Sequence, residues 1–226
     1  MSEQLLSAIR HLGGLLDDLE AVRIANGNRI GAIEREYGDA FGLDAIQAHL
    51  RATEHQAELE LIRLWRRHPL APWAKDYRGV GEKSIARLVA IVGDPADRPN
   101  PGKLFAYCGH GDPARSVKRK GMTQAELFKA GNPRAKKQVW LIATSLLKAG
   151  NRDAYDAARL KYQDALHEAA CVRCGPAGHP ALPGSPLSDG HKHARGLRAL
   201  GKTFLLDLWL AARDLHLKSD SYPARE

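Results

Sequence analysis

The first 67 residues carry apolar side chains at helical spacing, and little else there could drive folding. Leu5, Ile9, Leu12, Leu16 and Leu19 step by fours and threes, and the seam continues through Arg23 and Asn26 to Ile30, Ile33 and Tyr37. A heptad stripe of this kind is stable only when it is buried against a partner surface. It predicts a helix over 3–37 with two polar interruptions, Arg23 and Asn26. Gly38 and Gly42 punctuate the pattern, and Ile46, Leu50, Ala57, Leu61 and Leu64 predict a second helix over 44–67. Two long amphipathic helices with a short connection make a helical hairpin, assigned to residues 1–68. Such a hairpin serves as a coiled-coil-like arm, as a homodimer contact, or as part of a plain bundle core.

His68-Pro69-Leu70-Ala71-Pro72 ends the second helix, since proline lacks a donor and restricts the residue before it. Beyond it, short helices are expected up to Val92, over 103–108 and over 123–130. Longer ones are expected over 134–148, 153–170 and 191–216, with Asp189 as the N-cap of the last. In that last helix Leu197, Leu200, Phe204, Leu208 and Ala211, widened by Leu205 and Trp209, form a stripe that reads as core. Residues 93–102, 109–121 and 171–190 read as loops, and no segment alternates as a strand would. The expected fold class is all-α, with a second domain over 69–218 and a tail over 219–226.

Lys and Arg outnumber Asp and Glu by 34 to 26, a net charge of +8, which favours polyanionic partners. No apolar run approaches the roughly 20 residues that span a bilayer. Met1-Ser2-Glu3-Gln4 lacks a secretory pattern, so a cytoplasmic location is expected. Three cysteines make no disulfide framework.

The segment from Trp73 to Leu88 has helix-hairpin-helix spacing centred on Gly79-Val80-Gly81. Two glycines permit a tight turn and close approach of backbone to a phosphate, and the following helix start suits an anion. Val80 would plug the space between the helices, Ala86 would let them pack closely, and Lys83 and Arg87 would add charge at the mouth. A purely structural turn is the alternative. Gly81-Glu82-Lys83-Ser84 is no Walker motif, because no Gly-Lys step occurs in it. Further on, Arg115, Lys118, Arg119 and Lys120, then Arg134, Lys136 and Lys137, are the densest positive clusters, either nucleic-acid contacts or solubilising charge.

Four blocks in order carry a resemblance: Gly79-Val80-Gly81 with Ala86, Ile91-Val92-Gly93-Asp94-Pro95, Leu104-Phe105-Ala106-Tyr107-Cys108-Gly109, and Gly131-Asn132-Pro133-Arg134. Together they resemble the C-terminal transposase domain of the insertion-sequence one-hundred-and-ten family, the recombinases guided by a bridge RNA. The remainder looks like standalone actinobacterial and actinophage relatives of that domain. The family pairs it with an N-terminal RuvC-like nuclease domain carrying metal-binding acids, and nothing in the helical first third matches it. Glu20, Glu34 and Glu36 read as solvated charges on the arm. The resemblance also implies a nucleophilic serine in the basic loop, where Ser116 stands, although Val117 occupies the position the family usually gives to glycine. A serine nucleophile needs activation and a clamp on the phosphate. Arg115, Arg119 and Arg134 could clamp, but the acidic partner is missing, so Ser116 reads rather as a phosphate contact.

Cys171-Val172-Arg173-Cys174-Gly175 has the knuckle form that sets two thiolates on one tetrahedral metal. His191 and His193 complete one ligand set, Cys171, Cys174, His191 and His193, for a structural zinc within 171–193, with His167 and His179 as alternatives. Residues two apart do not share a helical face, which counts against the His191–His193 pair, and a free pair of cysteines is the other reading.

The first functional expectation is a non-catalytic DNA-binding accessory protein of a phage or mobile element. It would modulate site-specific recombination as a recombination directionality factor does, through contacts with a recombinase or integrase and with the DNA backbone. A transposase acting through Ser116, with acids from another chain, and a module for structured RNA are the alternatives.

Overall fold

The computed structural model describes residues 3–112, 121–176 and 179–220. It is all-α, with nine α-helices among the described residues and no strand beyond two isolated antiparallel bridges. No helix among those residues is long and apolar enough to cross a membrane. The chain divides into two compact units: residues 1–75 with 82–94, and residues 76–81 with 95–226.

In the first unit α1 (Glu3–Tyr37) and α2 (Leu43–Trp65) run antiparallel as the heptad seam required. Leu6, Ile9, Leu16 and Ile30 are buried on α1, and Ala57, Leu61 and Trp65 on α2. The two polar interruptions are answered within the hairpin itself. Arg23 pairs with Glu54, and Asn26 Nδ2 donates to Gln47 Oε1 at 3.0 Å. Gln47 is buried and returns a bond from Nε2 to the Arg23 carbonyl at 3.2 Å, so the polar layer is satisfied and fixes the register.

Packing groups the chain differently from the boundary expected at 68. The helix α4 (Glu82–Val92), expected in the second domain, packs on α1 and α2. Its residues 85–90 are all buried, too wide an apolar face for a two-element hairpin to cover. Ala90 sits so close over Gly13 that any side chain there would overlap it. The short α3 (Ala71–Asp76) precedes the turn. At the end of α2, His68 stacks on Trp65 with ring centroids 4.9 Å apart and accepts the Leu70 amide at 3.1 Å.

The second unit is built on α7 (Pro133–Lys148) and α9 (Asp189–Asp220). Ala135, Val139, Ile142, Ala143 and Leu146 are buried on α7, and Leu197, Leu200, Phe204, Leu205, Leu208 and Ala212 on α9, confirming the latter's apolar stripe as core. Packed on α9 are α5 (Pro101–Tyr107), α8 (Asp153–Lys161) and a short 3-10 turn, Pro95–Asp97. The remaining helix, α6 (Gln124–Lys129), is closed by a capping box, Thr123 Oγ1 accepting the Glu126 amide while Glu126 accepts the Thr123 amide at 2.8 Å.

Two local expectations are corrected. The helix expected over 153–170 stops at Lys161, and residues 165–171 instead pair antiparallel with 181–187. Bonds between Cys171 and Ala181, and from the His167 amide to the Ser185 carbonyl, outweigh the modest helix propensity of that stretch. The last helix is capped by Ser188, whose hydroxyl accepts the His191 amide at 3.2 Å, and not by Asp189, which already lies within the helix.

Candidate nucleic-acid interface and metal cluster

The turn Gly79-Val80-Gly81 belongs to the second unit, and its two glycines do different work. Gly79 has φ +92°, and a Cβ there would overlap Ala149 and crowd Leu146 at the end of α7. Its missing side chain therefore serves helix packing. Gly81 faces open space, with nothing within 4 Å of where a Cβ would stand. Tyr77 anchors the turn by an edge contact to Phe204 and a 2.8 Å bond to Asp207, and Asn151 holds the Arg78 carbonyl. Burial first, then that bond to Asp207, pushes the Tyr77 hydroxyl upward, so it stays protonated and donates. Val80 is half-buried and Ala86 fully buried.

The cations expected at the mouth of the hairpin are engaged elsewhere in the first unit. Arg87 is 8% exposed and donates through one terminal nitrogen to Asp17 and Glu20, at 2.6 Å each. It is a buried cation within the first unit, and Glu20, expected to be solvated, is one of its counter-charges. Lys83 pairs with Glu58 at 2.5 Å. The first turn of α4 also carries Glu82, whose carboxyl Arg66 grips with both guanidinium arms and holds below the usual range. A carboxylate there occupies the dipole end that a phosphate would use.

Two of the four blocks that carry the family resemblance meet at one place in the second unit. Asn132 caps α7, accepting the Arg134 amide at 2.9 Å and the Ala135 amide at 3.2 Å. Its own amide donates to the Tyr107 carbonyl at 2.7 Å, and its side chain reaches the Tyr107 hydroxyl at 3.1 Å. Gly131, at φ +85°, lies against Gly109 and the Ala106 carbonyl so closely that no side chain fits. The Leu104–Gly109 and Gly131–Arg134 blocks are thus two halves of one packed corner.

From that corner runs the segment leading to the basic loop. Ser116, Arg115, Lys118, Arg119 and Lys120 lie outside the described residues. The segment before them is held by α9: Arg198 donates to the carbonyls of Gly109, at 3.2 Å, and Gly111. His110 is buried, donates from Nδ1 to the Cys108 carbonyl at 2.8 Å, and lies over Gly201. Burial, with Arg198, Lys136 and Lys202 all near, drives its pKa down to about 4 and keeps it neutral. Lys202 is itself lowered, first by burial and then by Arg198, and among the described residues it has no ion-pair partner. Arg134, Lys136 and Lys137 stand exposed on the first turn of α7, the Lys136 stem lying over Gly109. Sequence reasoning missed His110, Arg198 and Lys202. The signal was present, since Arg195, Arg198 and Lys202 share one face of α9, but that helix was read only for its apolar stripe.

A second constellation lies in the same unit. His167, Cys171, Cys174 and His191 offer ligand atoms all within 4.8 Å of one another, a set that could hold a metal ion. Cys171 and Cys174 come from the knuckle, His167 from the extended segment before it and His191 from the first turn of α9. Gly175 is required here, because a Cβ would overlap the His179 carbonyl and the backbone of Pro180 and Ala181. The Ser188 hydroxyl, 3.0 Å from the Cys174 sulfur, is the main reason that thiol's pKa falls to about 6. His193, one of the expected ligands, is not in the cluster: its Nδ1 is bonded to the Tyr155 hydroxyl at 2.7 Å, since residues two apart on α9 face different ways. His179 is exposed and also outside it.

In the second unit α5, the start of α7 and the middle of α9 thus bring Lys136, Arg198 and Lys202 near His110. Residues 74–159, over a third of the chain, match the sequence model of the Transposase IS116/IS110/IS902 family. Over those residues the chain is similar to this transposase family, a likeness that points toward DNA recombination or transposition. No curated protein and no solved structure matches the chain.

Proposed function

We propose that this protein is a nucleic-acid-binding accessory factor of DNA recombination, without a reaction of its own, encoded by a phage or mobile element. The observation that carries the reading is the convergence of Arg198, Lys202 and Lys136 on buried, neutral His110, where Lys202 has no acidic partner among the described residues. Arg198 has Asp112 near it, but keeping Lys202 beside Arg198 still has a cost that a phosphodiester offsets on binding, with release of counterions. Arg134 and Lys137, on the same turn of α7 as Lys136, would extend the same track, and the basic residues of 115–120 follow His110 in sequence. Binding through backbone phosphates would orient the protein on DNA, while contacts with a recombinase or integrase would steer the outcome, as a directionality factor does. The α1–α2 arm, which exposes Tyr37, Phe41 and Ile46 near its connection, suits a protein contact better than a nucleic-acid one. A metal held by the His/Cys cluster would brace the second unit, since four protein ligands leave no open position for a substrate.

The family match favours one other reading, an active transposase using Ser116. It needs acids from another chain, because the first unit is a helical hairpin with no acidic strand.

Fluorescence anisotropy on labelled duplex DNA across a salt series tests the proposal. Lys202→Gln should weaken binding and reduce the slope of log K against log salt by about 0.9, the value of one phosphate contact. An unchanged slope refutes the placement, and preferential competition by structured RNA turns the reading to RNA. Loss of strand transfer in Ser116→Ala would establish the enzyme instead.

A further inference from the structure

We infer that His167, Cys171, Cys174 and His191 form a structural zinc site, with His167 and not His193 as the fourth ligand. It stands whether or not the protein binds nucleic acid. Zinc–sulfur bonds of about 2.3 Å and zinc–nitrogen bonds of about 2.0–2.1 Å at tetrahedral angles set ligand atoms roughly 3.3–3.8 Å apart. His191 Nδ1 lies 3.3 Å from the Cys174 sulfur and 3.9 Å from the Cys171 sulfur. The first lies inside that range and the second just beyond it, so only a small side-chain shift would let both share one ion.

The decisive residue is His167. Its ring is buried, and Nδ1 donates to the Ser185 carbonyl at 2.9 Å, which leaves the lone pair on Nε2. That Nε2 is buried with no hydrogen-bond partner, an unfavourable arrangement unless something accepts the lone pair. Two free thiols would account for the sulfur–nitrogen distances, and the Cys174 thiol lies near enough to interact with His167, but without hydrogen-bond geometry at this nitrogen. A metal satisfies it. The carbonyl behind Nδ1 is the outer partner that fixes the tautomer of a ligating histidine, and the Ser188 hydroxyl on the Cys174 sulfur is the matching partner of a thiolate.

Two thiolates and two imidazoles select zinc over magnesium or calcium, which prefer oxygen. His167 and Cys171 come from the first arm of the 165–187 pairing, Cys174 from the turn that follows it, and His191 from the first turn of α9. Zinc would lock the hairpin to the helix that carries Arg195, Arg198 and Lys202, and its binding energy would become folding energy of that region.

The test uses the full chain. Metal analysis of the purified protein should find stoichiometric zinc, and cobalt(II) in its place should give the intense visible bands and thiolate charge-transfer band of a tetrahedral centre. In competition with a chromophoric chelator, His167→Ala should lower zinc affinity at least tenfold, by about the measure of a lost ligand or its support. His193→Ala should leave affinity unchanged. Absence of both bound zinc and a tetrahedral cobalt spectrum overturns the site, as does a His193→Ala loss equal to that of His167→Ala. Should His167→Ala fail to fold, the cobalt spectrum of the unaltered protein still decides.

Discussion

Replacing Arg87 by methionine separates a structural cation from a nucleic-acid contact. The guanidinium is 8% exposed and bonded to both Asp17 and Glu20, whose side chains are 16% and 20% exposed. Methionine keeps much of the volume but leaves two carboxylates facing each other with little solvent. Removing one partner of a buried ion pair costs about 3–5 kcal/mol, and the partial exposure of the acids argues for the lower end, about 3 kcal/mol. For a chain of this size that is a fall of roughly 6–12 °C in the melting midpoint. Thermal unfolding followed by circular dichroism would read it. Adding Asp17→Asn and Glu20→Gln should restore at least half of the loss, because the repulsion between the two carboxylates is then gone. The folded fraction of Arg87→Met should still bind DNA with the salt slope of the unaltered protein. A loss below about 1 kcal/mol, or a slope reduced by about 0.9, would show that the arginine faces the nucleic acid and that this reasoning is wrong.

Gly79→Ala should destabilise by about 2–4 kcal/mol, combining a left-handed backbone penalty with overlap on Ala149, whereas Gly81→Ala should stay within about 0.5 kcal/mol. Equal effects in urea unfolding would contradict the packing assigned to Gly79. Asn132→Ala should cost about 1–2 kcal/mol through the lost cap of α7 and lost hold on Tyr107, and an unchanged urea midpoint would dismiss that role. His68 and His110 are both driven down to about 4 by burial, so between pH 6.5 and 4 the unfolded chain binds more protons than the folded one. Stability should therefore fall as pH drops through that window, by on the order of 3 kcal/mol for each histidine, and level off below it. Urea midpoints measured across the window should flatten in His68→Gln and His110→Gln, and unchanged pH profiles in both would refute the assignment.

Much of this was legible in one dimension. The alternating spacing of Leu5 to Tyr37 required a long helix with a partner, and Gly38 with Gly42 told where the chain turns back, because local periodicity and backbone freedom are properties of short stretches. Charge, too, sums along a sequence, and the family blocks near Gly79, Tyr107 and Asn132 are contiguous runs. What the linear text could not show is which distant group each polar side chain meets. Arg87 sits at helical spacing from Lys83 and reads as the second cation of a hairpin mouth, until α1 brings Asp17 and Glu20 beneath it. Residues 163–170 favour a helix by composition, yet pairing with 181–187 draws them into an extended arm and turns His167 toward the two thiols. His193, two residues from His191, looked like its partner in sequence, while the rotation of α9 sends it to Tyr155 instead. Arg198 and Lys202 pass unnoticed on an apolar helix until the fold sets them over His110. Local propensity and periodicity thus determined the helices of this protein, whereas the partners of its buried charges and ligands were decided by long-range packing, since burial penalises every polar atom that the fold leaves unmatched.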